Sequence, residues 1–468
     1  MILSIFAGRL IQLQAVEGGS LAAAALDQRQ RTVTLPAERG AITDSNGEPL
    51  AVTIEARNIT ADQTLVTDPA AVAAQLAPLL GVDQDVLATR LVGEKRFMYV
   101  AKEVTPDLWR RVDSLHLPGI FSESTSKRVY PGNELAANVV GFVGSDGNGL
   151  GGLEYALQSE LAGSAGTVTY ERGPGGKVIP TTNNVTEDAV QGSTVQLTIN
   201  RDIQHVAQEA IALRVAQAQA DYGTITVMDP QSGQILALAT APTFDANNAG
   251  AADASNRGNR ALSDVYEPGS TSKLMTLSAV IDQGAADPST AITVPSTLRR
   301  ADKTFHDHNE HGTLHLTLAG VMAESSNIGT ILAAEKIGGK QLYQYIKKFG
   351  IGEKTGLGFP GESAGFIPAY KDWSPTSFPT IAFGQGLSLN AVQAASVYST
   401  ISNDGLRVQP RLVASIKHPD GSVTTPEAPA TTQVVTPQTA RTVRDMLEAV
   451  TQDGGTAPMA RIPGYRVG

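Results

Sequence analysis

Three observations predict an α+β architecture. Strand-like and helix-like stretches alternate between turn residues over the first ~190 positions. Residues 193–242 read as strand, helix and hairpin. Helical periodicity dominates from 271 onward. Antiparallel strands at one end and helices elsewhere describe a sheet domain with a helical subdomain, here preceded by a mixed, loop-rich domain. The 468 residues are enough for about two or three domains.

Taken in order, "RTVTLPAERGAITDSNGEPLAVT" predicts strand, turn, strand. Asn46-Gly47 is the hairpin signal, because both positions tolerate positive φ. "DPAAVAAQLAPLLG" predicts a helix with Asp68 as N-cap, Pro69 at its first position and Gly81 past its end. "GSDGNGLGGLEY" and "ERGPGGKVIP" hold no period and read as loop. "STVQLTIN" alternates like a strand. The next stretch predicts a helix whose apolar face carries Ile203, Val206, Ala210 and Ile211. "YGTITVMDPQSGQILALATAP" predicts a hairpin turning at "DPQSG". Helices are expected at 271–283, 316–323, 328–336, 340–348 and 437–451. The last presents Val443, Met446, Leu447 and Val450 as a stripe.

Composition excludes some functions. Apolar residues make up 41% and charged residues 18%, against disorder throughout. The formal net charge is −10 with no basic block, so nucleic acid is not an expected partner. The absence of cysteine excludes disulfides and thiolate chemistry. No stretch reaches the ~18–20 apolar residues of a membrane span. "MILSIFAGRLIQLQ" reads locally as the first turns of a soluble amphipathic helix, or as the outer end of a signal anchor.

The chemistry centres on "VYEPGSTSK", where three hydroxyls precede one lysine. Pro268-Gly269 breaks the backbone, and a helix starting near 270 puts side chains three apart on one face. Only Ser270 is three before Lys273, so Ser270 is the candidate nucleophile. Free N–H groups at a helix start can stabilise an oxyanion. Lys273 must be neutral to act as a base, and the apolar run behind it supplies the burial that lowers its pKa. By itself Ser-x-x-Lys is better explained by an N-cap serine and a solvated lysine. "MAESSNIGT" places Ser325, Ser326 and Asn327 between two helical stretches. Ser325 could relay a proton there, and Asn327 could hold a substrate amide. His306, His308, His311 and His315 cluster with Asp307 and Glu310, but their spacing is not that of a zinc site, and no metal is expected.

Together these motifs resemble the penicillin-binding proteins. "NRALSDVYEPGSTSK", "HDHNEHGTLHLTLAGVMAESSNIGT" and "TIAFGQGLSLNAVQ" are similar to the class B transpeptidase domain. "LPAERGAITDSNGEPLAV", "SKRVYPGNELAANVVGFVG" and "GLGGLEYALQSELAGSAG" are similar to its amino-terminal pedestal, in the division-type, actinobacterial-like branch. The resemblance implies a membrane-anchor remnant at 1–14, a dimerisation or pedestal domain at 15–190 and a penicillin-binding, serine β-lactamase-like transpeptidase domain at 191–468. It implies a D,D-transpeptidase on the outer face of the cell membrane, anchored by a single span. Ser270 would attack D-Ala-D-Ala of a peptidoglycan stem peptide with Lys273 as base, and Ser325 and Asn327 would complete the site. β-Lactams would acylate Ser270. No cofactor is implied. The pedestal would dock a membrane glycan polymerase of the shape, elongation, division and sporulation family.

The family's third motif is a Lys-Thr-Gly strand. Lys354-Thr355-Gly356 lies in a glycine-rich connection soon after a helix, and we reject it as that motif. The strand is expected beyond "GGTAPMARIPGYRVG", which makes the chain clipped at both ends and, as given, a poor binder of the substrate carboxylate. The rival readings are a D,D-carboxypeptidase or β-lactamase-type hydrolase, and a non-catalytic β-lactam sensor or scaffold.

Overall fold

The computed structural model describes residues 2–13, 19, 29–171 and 185–468. Helix α1 (Ile2–Ile11) leaves Ile5, Phe6, Leu10 and Ile11 exposed. Among the described residues no helix is long and apolar enough to cross a membrane. Strand β1 (Gln30–Leu35) precedes β2 (Ile42–Thr43) and β3 (Pro49–Ala61). The last two turn about Asn46-Gly47, as the sequence predicts. Gly47 has φ +87°, and Asp44 Oδ1 accepts the N–H groups of Asn46 and Glu48 at 2.8 and 2.9 Å. Helix α2 (Pro69–Leu80) has its predicted ends: Asp68 Oδ1 accepts the Ala71 N–H at 3.0 Å, and Gly81 is left-handed.

Helices α2, α3 (Gln84–Leu91) and α4 (Pro106–Asp113) accompany β3, β4 (Met98–Val104) and β5 (Ile120–Val129). Ile59, Leu76, Leu87 and Leu91 close a core between them. Strand β6 (Gly166–Glu171) pairs with β1. The loop expected at "ERGPGGKVIP" lies, after Glu171, outside the described residues. "GLEYA" forms a short helix at Gly152–Ala156 rather than loop.

Strand β7 (Thr194–Leu197) and helix α5 (Arg201–Ala218) follow. The α5 helix is as predicted, but of its predicted apolar face only Ile211 packs inward. Ile203 and Val206 are exposed, while Gln204 and Ala207 face inward. The hairpin beneath, β8 (Gly223–Met228) and β9 (Ile235–Ala241), explains the difference. Ala207 packs against Ala237 and Ala239, so small residues set a close approach. Gln204 is tolerated inside because its Oε1 accepts the Leu238 N–H at 2.7 Å.

Past 270 come α6 (Lys273–Asp282), β10 (Ala291–Val294), β11 (Lys303–Phe305), β12 (Leu314–Thr317), α7 (Leu318–Ala323), α8 (Asn327–Glu335) and α9 (Gly338–Lys348). The helix expected from 316 starts at 318, because 314–317 pairs with β10 and Thr317 caps the helix. Helix α10 (Ala391–Ser402) was not predicted from periodicity. Its β-branched and serine-rich sequence has weak helix propensity, and an Asn390/Gln393 capping box starts it. Strands β13 (Val413–Lys417) and β14 (Val423–Thr424) precede α11 (Pro437–Thr451). Val443 and Met446 of α11 are buried, and Leu447 and Val450 pack beside them.

The largest sheet runs β14-β13-β7-β2-β3-β4, with β5 also on β3. Its strands pair antiparallel except where β2 of the amino-terminal region meets β7, a parallel pair with Ile42 opposite Val195. Ile42 and Leu50 share one core with Leu197, Ile235 and Leu262. The two halves of the chain are therefore joined by backbone hydrogen bonds and by common apolar burial.

Candidate active site

Gly269–Ser272 form one turn of 3₁₀ helix, and α6 begins at Lys273. The expected α-helical start is thus tighter, but residues three apart still align in a 3₁₀ turn. Ser270 and Lys273 line one cavity of about 170 Å³ with Ser325, Met322 and Tyr398. Thr271 Oγ1 donates to Pro268 O at 2.8 Å, and Ser272 Oγ donates to Gly269 O at 2.9 Å. Ser270 is exposed at the cavity mouth. Gly384 lets this turn pack closely: a Cβ there would meet Gly269 O at 2.0 Å, and its φ is +91°.

Lys273 is only 3% exposed. Its Nζ donates to Ser325 Oγ at 3.0 Å and also to Ser325 O. Burial lowers its pKa to about 8, opposed by the negative charge of Asp307. Burial removes water from the ammonium and so disfavours the charged form. Ser325 has φ +57°, a left-handed conformation unusual for a residue with a Cβ. That geometry turns both its carbonyl and its hydroxyl onto Lys273.

Asn327 opens α8, and its Nδ2 donates to His306 O at 3.1 Å. Ser326 caps α8: its Oγ accepts the Gly329 N–H at 2.8 Å and donates to Asp307 Oδ2 at 2.6 Å. The histidine-rich turn is thus the neighbour of the Ser-Ser-Asn turn. Among the described residues no group of three or more His, Asp or Glu side chains could hold a metal ion. Lys354 is exposed in the connection after α9 and does not line the Ser270 cavity. Thr355 beside it is buried, with its N–H and Oγ1 donated to Glu362 Oε1 at 2.5 and 2.6 Å.

Sequence reasoning missed two contributors. Asp307 was weighed only as a metal ligand. Tyr398 sits in α10, and its hydroxyl donates to Thr271 O at 3.0 Å, bracing the turn that carries Ser270. Local pattern carried no signal for either, because both act across more than a hundred residues or between loops.

The transpeptidase domain of penicillin binding proteins is matched by residues 223–468, and the penicillin-binding protein dimerisation domain by residues 34–197. Penicillin-binding protein PbpB of Mycolicibacterium smegmatis is 37% identical, over 100% of this chain and 77% of that protein. Peptidoglycan D,D-transpeptidase FtsI of Escherichia coli is 30% identical, over 100% of this chain and 78% of that protein. The crystal structure of penicillin binding protein 3 from Mycobacterium tuberculosis with aztreonam superposes with a TM-score of 0.72 at 34% identity, covering 92% of this chain and 80% of that one.

Proposed function

The chain belongs to the class B penicillin-binding proteins, and from that premise we propose that it cross-links peptidoglycan stem peptides through an acyl-enzyme on Ser270. The observation that carries this reading is the buried Lys273 ammonium held 3.0 Å from Ser325 Oγ in the cavity that Ser270 lines. Burial lowers the Lys273 pKa to about 8, which brings the neutral amine closer to neutral pH than in a free lysine.

Neutral Lys273 takes the Ser270 proton as Oγ attacks the D-Ala-D-Ala carbonyl. The Oγ–C bond forms, the C–N bond breaks, and D-alanine leaves with a proton relayed through Ser325. The Gly269 and Lys273 N–H groups are taken up by Gly384 O and Ser270 O, so an oxyanion would have to be held by other N–H groups of the turn. Asn327 offers an amide to the substrate peptide. An amine of a second stem peptide then attacks the ester, forming the cross-link and freeing Ser270. A β-lactam would acylate the same oxygen.

The relatives named D,D-transpeptidases favour cross-linking over hydrolysis. They also support a septal role. A membrane anchor at 1–14, a pedestal at 15–190 that docks a glycan polymerase, and a transpeptidase domain at 191–468 complete the proposal. The test is labelled penicillin applied to the full-length protein. Ser270→Ala should abolish labelling. Labelling that persists in Ser270→Ala and is lost in Thr271→Ala or Ser272→Ala would overturn it. Release of trimmed monomer in place of cross-linked dimer would overturn the transfer step.

A further inference from the structure

Asp307 follows β11, and its side chain is only 9% exposed. Its Oδ1 accepts the Ile328 N–H at 2.8 Å. Its Oδ2 accepts from Ser326 Oγ at 2.6 Å and lies 3.1 Å from His311 Nε2. The carboxylate therefore grips the backbone and the capping hydroxyl of the turn that contains Ser325 and Asn327. His306 O, one residue earlier, accepts from Asn327 Nδ2. Ser325 sits between these anchors and Lys273 with φ +57°. A left-handed residue with a Cβ persists only where its surroundings hold it.

We propose that Asp307 is a positioning residue for the transpeptidase reaction: it clamps the Ser325–Asn327 turn so that the Ser325 hydroxyl meets Lys273. This rests on the reading of the site given above. Asp307 acts through Ser326 and Ile328 and touches no reacting atom. It is also the carboxylate whose field reaches Lys273. The cavity that Lys273 lines is otherwise walled by Ser270, Ser325, Met322 of α7, Tyr398 of α10, Leu447 of α11 and Thr456, and burial raises the tyrosine's pKa.

The experiment follows penicillin acylation of the full-length protein against pH for the wild type, Asp307→Asn and Ser326→Ala. Asp307→Asn should slow acylation by about tenfold or more, because small misplacements of catalytic groups are costly. Its pH profile should also move to lower pH, since Lys273 loses a stabilising negative charge. Ser326→Ala should slow acylation with the profile unmoved, because the carboxylate remains. An Asp307→Asn rate within about twofold of wild type would overturn the proposal. So would a slow rate with an unmoved profile, which marks a merely structural role. If Asp307→Asn does not fold, Ser326→Ala decides, and unchanged acylation ends the proposal. A wild type that is never labelled takes down the underlying reading, an outcome distinct from a labelled wild type with indifferent variants.

Discussion

Two buried charge clusters in this chain are built to opposite ends. In the amino-terminal half, Glu154 is fully buried between two arginines. Arg39 Nε and Arg128 Nε reach its two oxygens at 2.5 and 2.8 Å, and Tyr130 OH donates at 3.3 Å. Arg128 Nη1 continues to Gly40 O at 2.8 Å, and among the described residues its Nη2 is left without a partner. In the other half, Lys273 is as deeply buried, yet it is held by the carbonyl and hydroxyl of Ser325 rather than by a paired carboxylate. The first cluster sets its carboxylate between two guanidiniums and joins segments distant in sequence. The second leaves its cation underpaired, and the cost of burial appears as a lowered pKa. Burying a charge is structural when opposite charge meets it, and functional when it does not.

Replacing Lys273 gives the largest expected effect. Lys273→Met keeps the length and apolar stem but removes the proposed base. Acylation by labelled penicillin should fall by about a thousandfold, in the range expected for a general base, equivalent to about 4 kcal/mol of barrier. The thermal midpoint should rise, because a desolvated ammonium has been removed. A variant that lost labelling and also melted earlier would show that Lys273 holds the fold together, and the contrast would collapse.

The matching change in the other cluster is Glu154→Gln. It leaves Arg39 and Arg128 buried against a neutral amide, which costs about 3–4 kcal/mol of stability. Denaturant unfolding measures this, and acylation per folded molecule should stay within about twofold of wild type. A stability loss under about 1 kcal/mol would mean that the arginines find water or other acceptors, and that the cluster is not a true counterpart.

These clusters also show what could be read from the chain. The Asp68–Gly81 helix and the Asn46-Gly47 turn were legible because their signals are local: a cap, a proline, a glycine at positive φ. Ser270, Lys273, Ser325 and Asn327 could be named because short motifs carried them. The structure brings the first three to one cavity, with Asn327 opening the helix beside it. The inward face of α5 was not legible, since a buried glutamine bonded to Leu238 looks polar in any periodicity. Nor was the Asp307 clamp, because its partners lie 19 and 21 residues away across a turn.

A pH titration sharpens the comparison further. The folded-state pKa of Lys273 is lowered from 10.5 to about 8. Between those values the unfolded chain binds more protons than the folded one, so stability rises with pH across that window. Below pH 8 the folded protein carries the full cost of the buried ammonium, about 3 kcal/mol. Acylation should rise over the same region with an apparent pKa near 8. Comparing wild type with Lys273→Met isolates the contribution of this group. A stability difference between the two that is flat from pH 7 to 10.5 would contradict the burial argument.

The smallest effect is expected where the text of the sequence looks most catalytic. Lys354-Thr355-Gly356 has the letters of the family's third motif, but its chemistry is turned elsewhere. Lys354 is exposed, and Thr355 gives both its N–H and its hydroxyl to the buried Glu362 carboxylate. Lys354→Ala removes a solvated charge from a surface connection, so stability should change by less than about 0.5 kcal/mol. Penicillin acylation should stay within about twofold of wild type. Thr355→Ala should behave differently, losing about 1–2 kcal/mol because a buried carboxylate gives up a hydroxyl donor. The pair separates a structural turn from a substrate clamp, since a clamp would lose acylation in the lysine variant first. A tenfold slower acylation by Lys354→Ala, with its melting point unchanged, would place this lysine at the active site and make the rejection of the motif wrong.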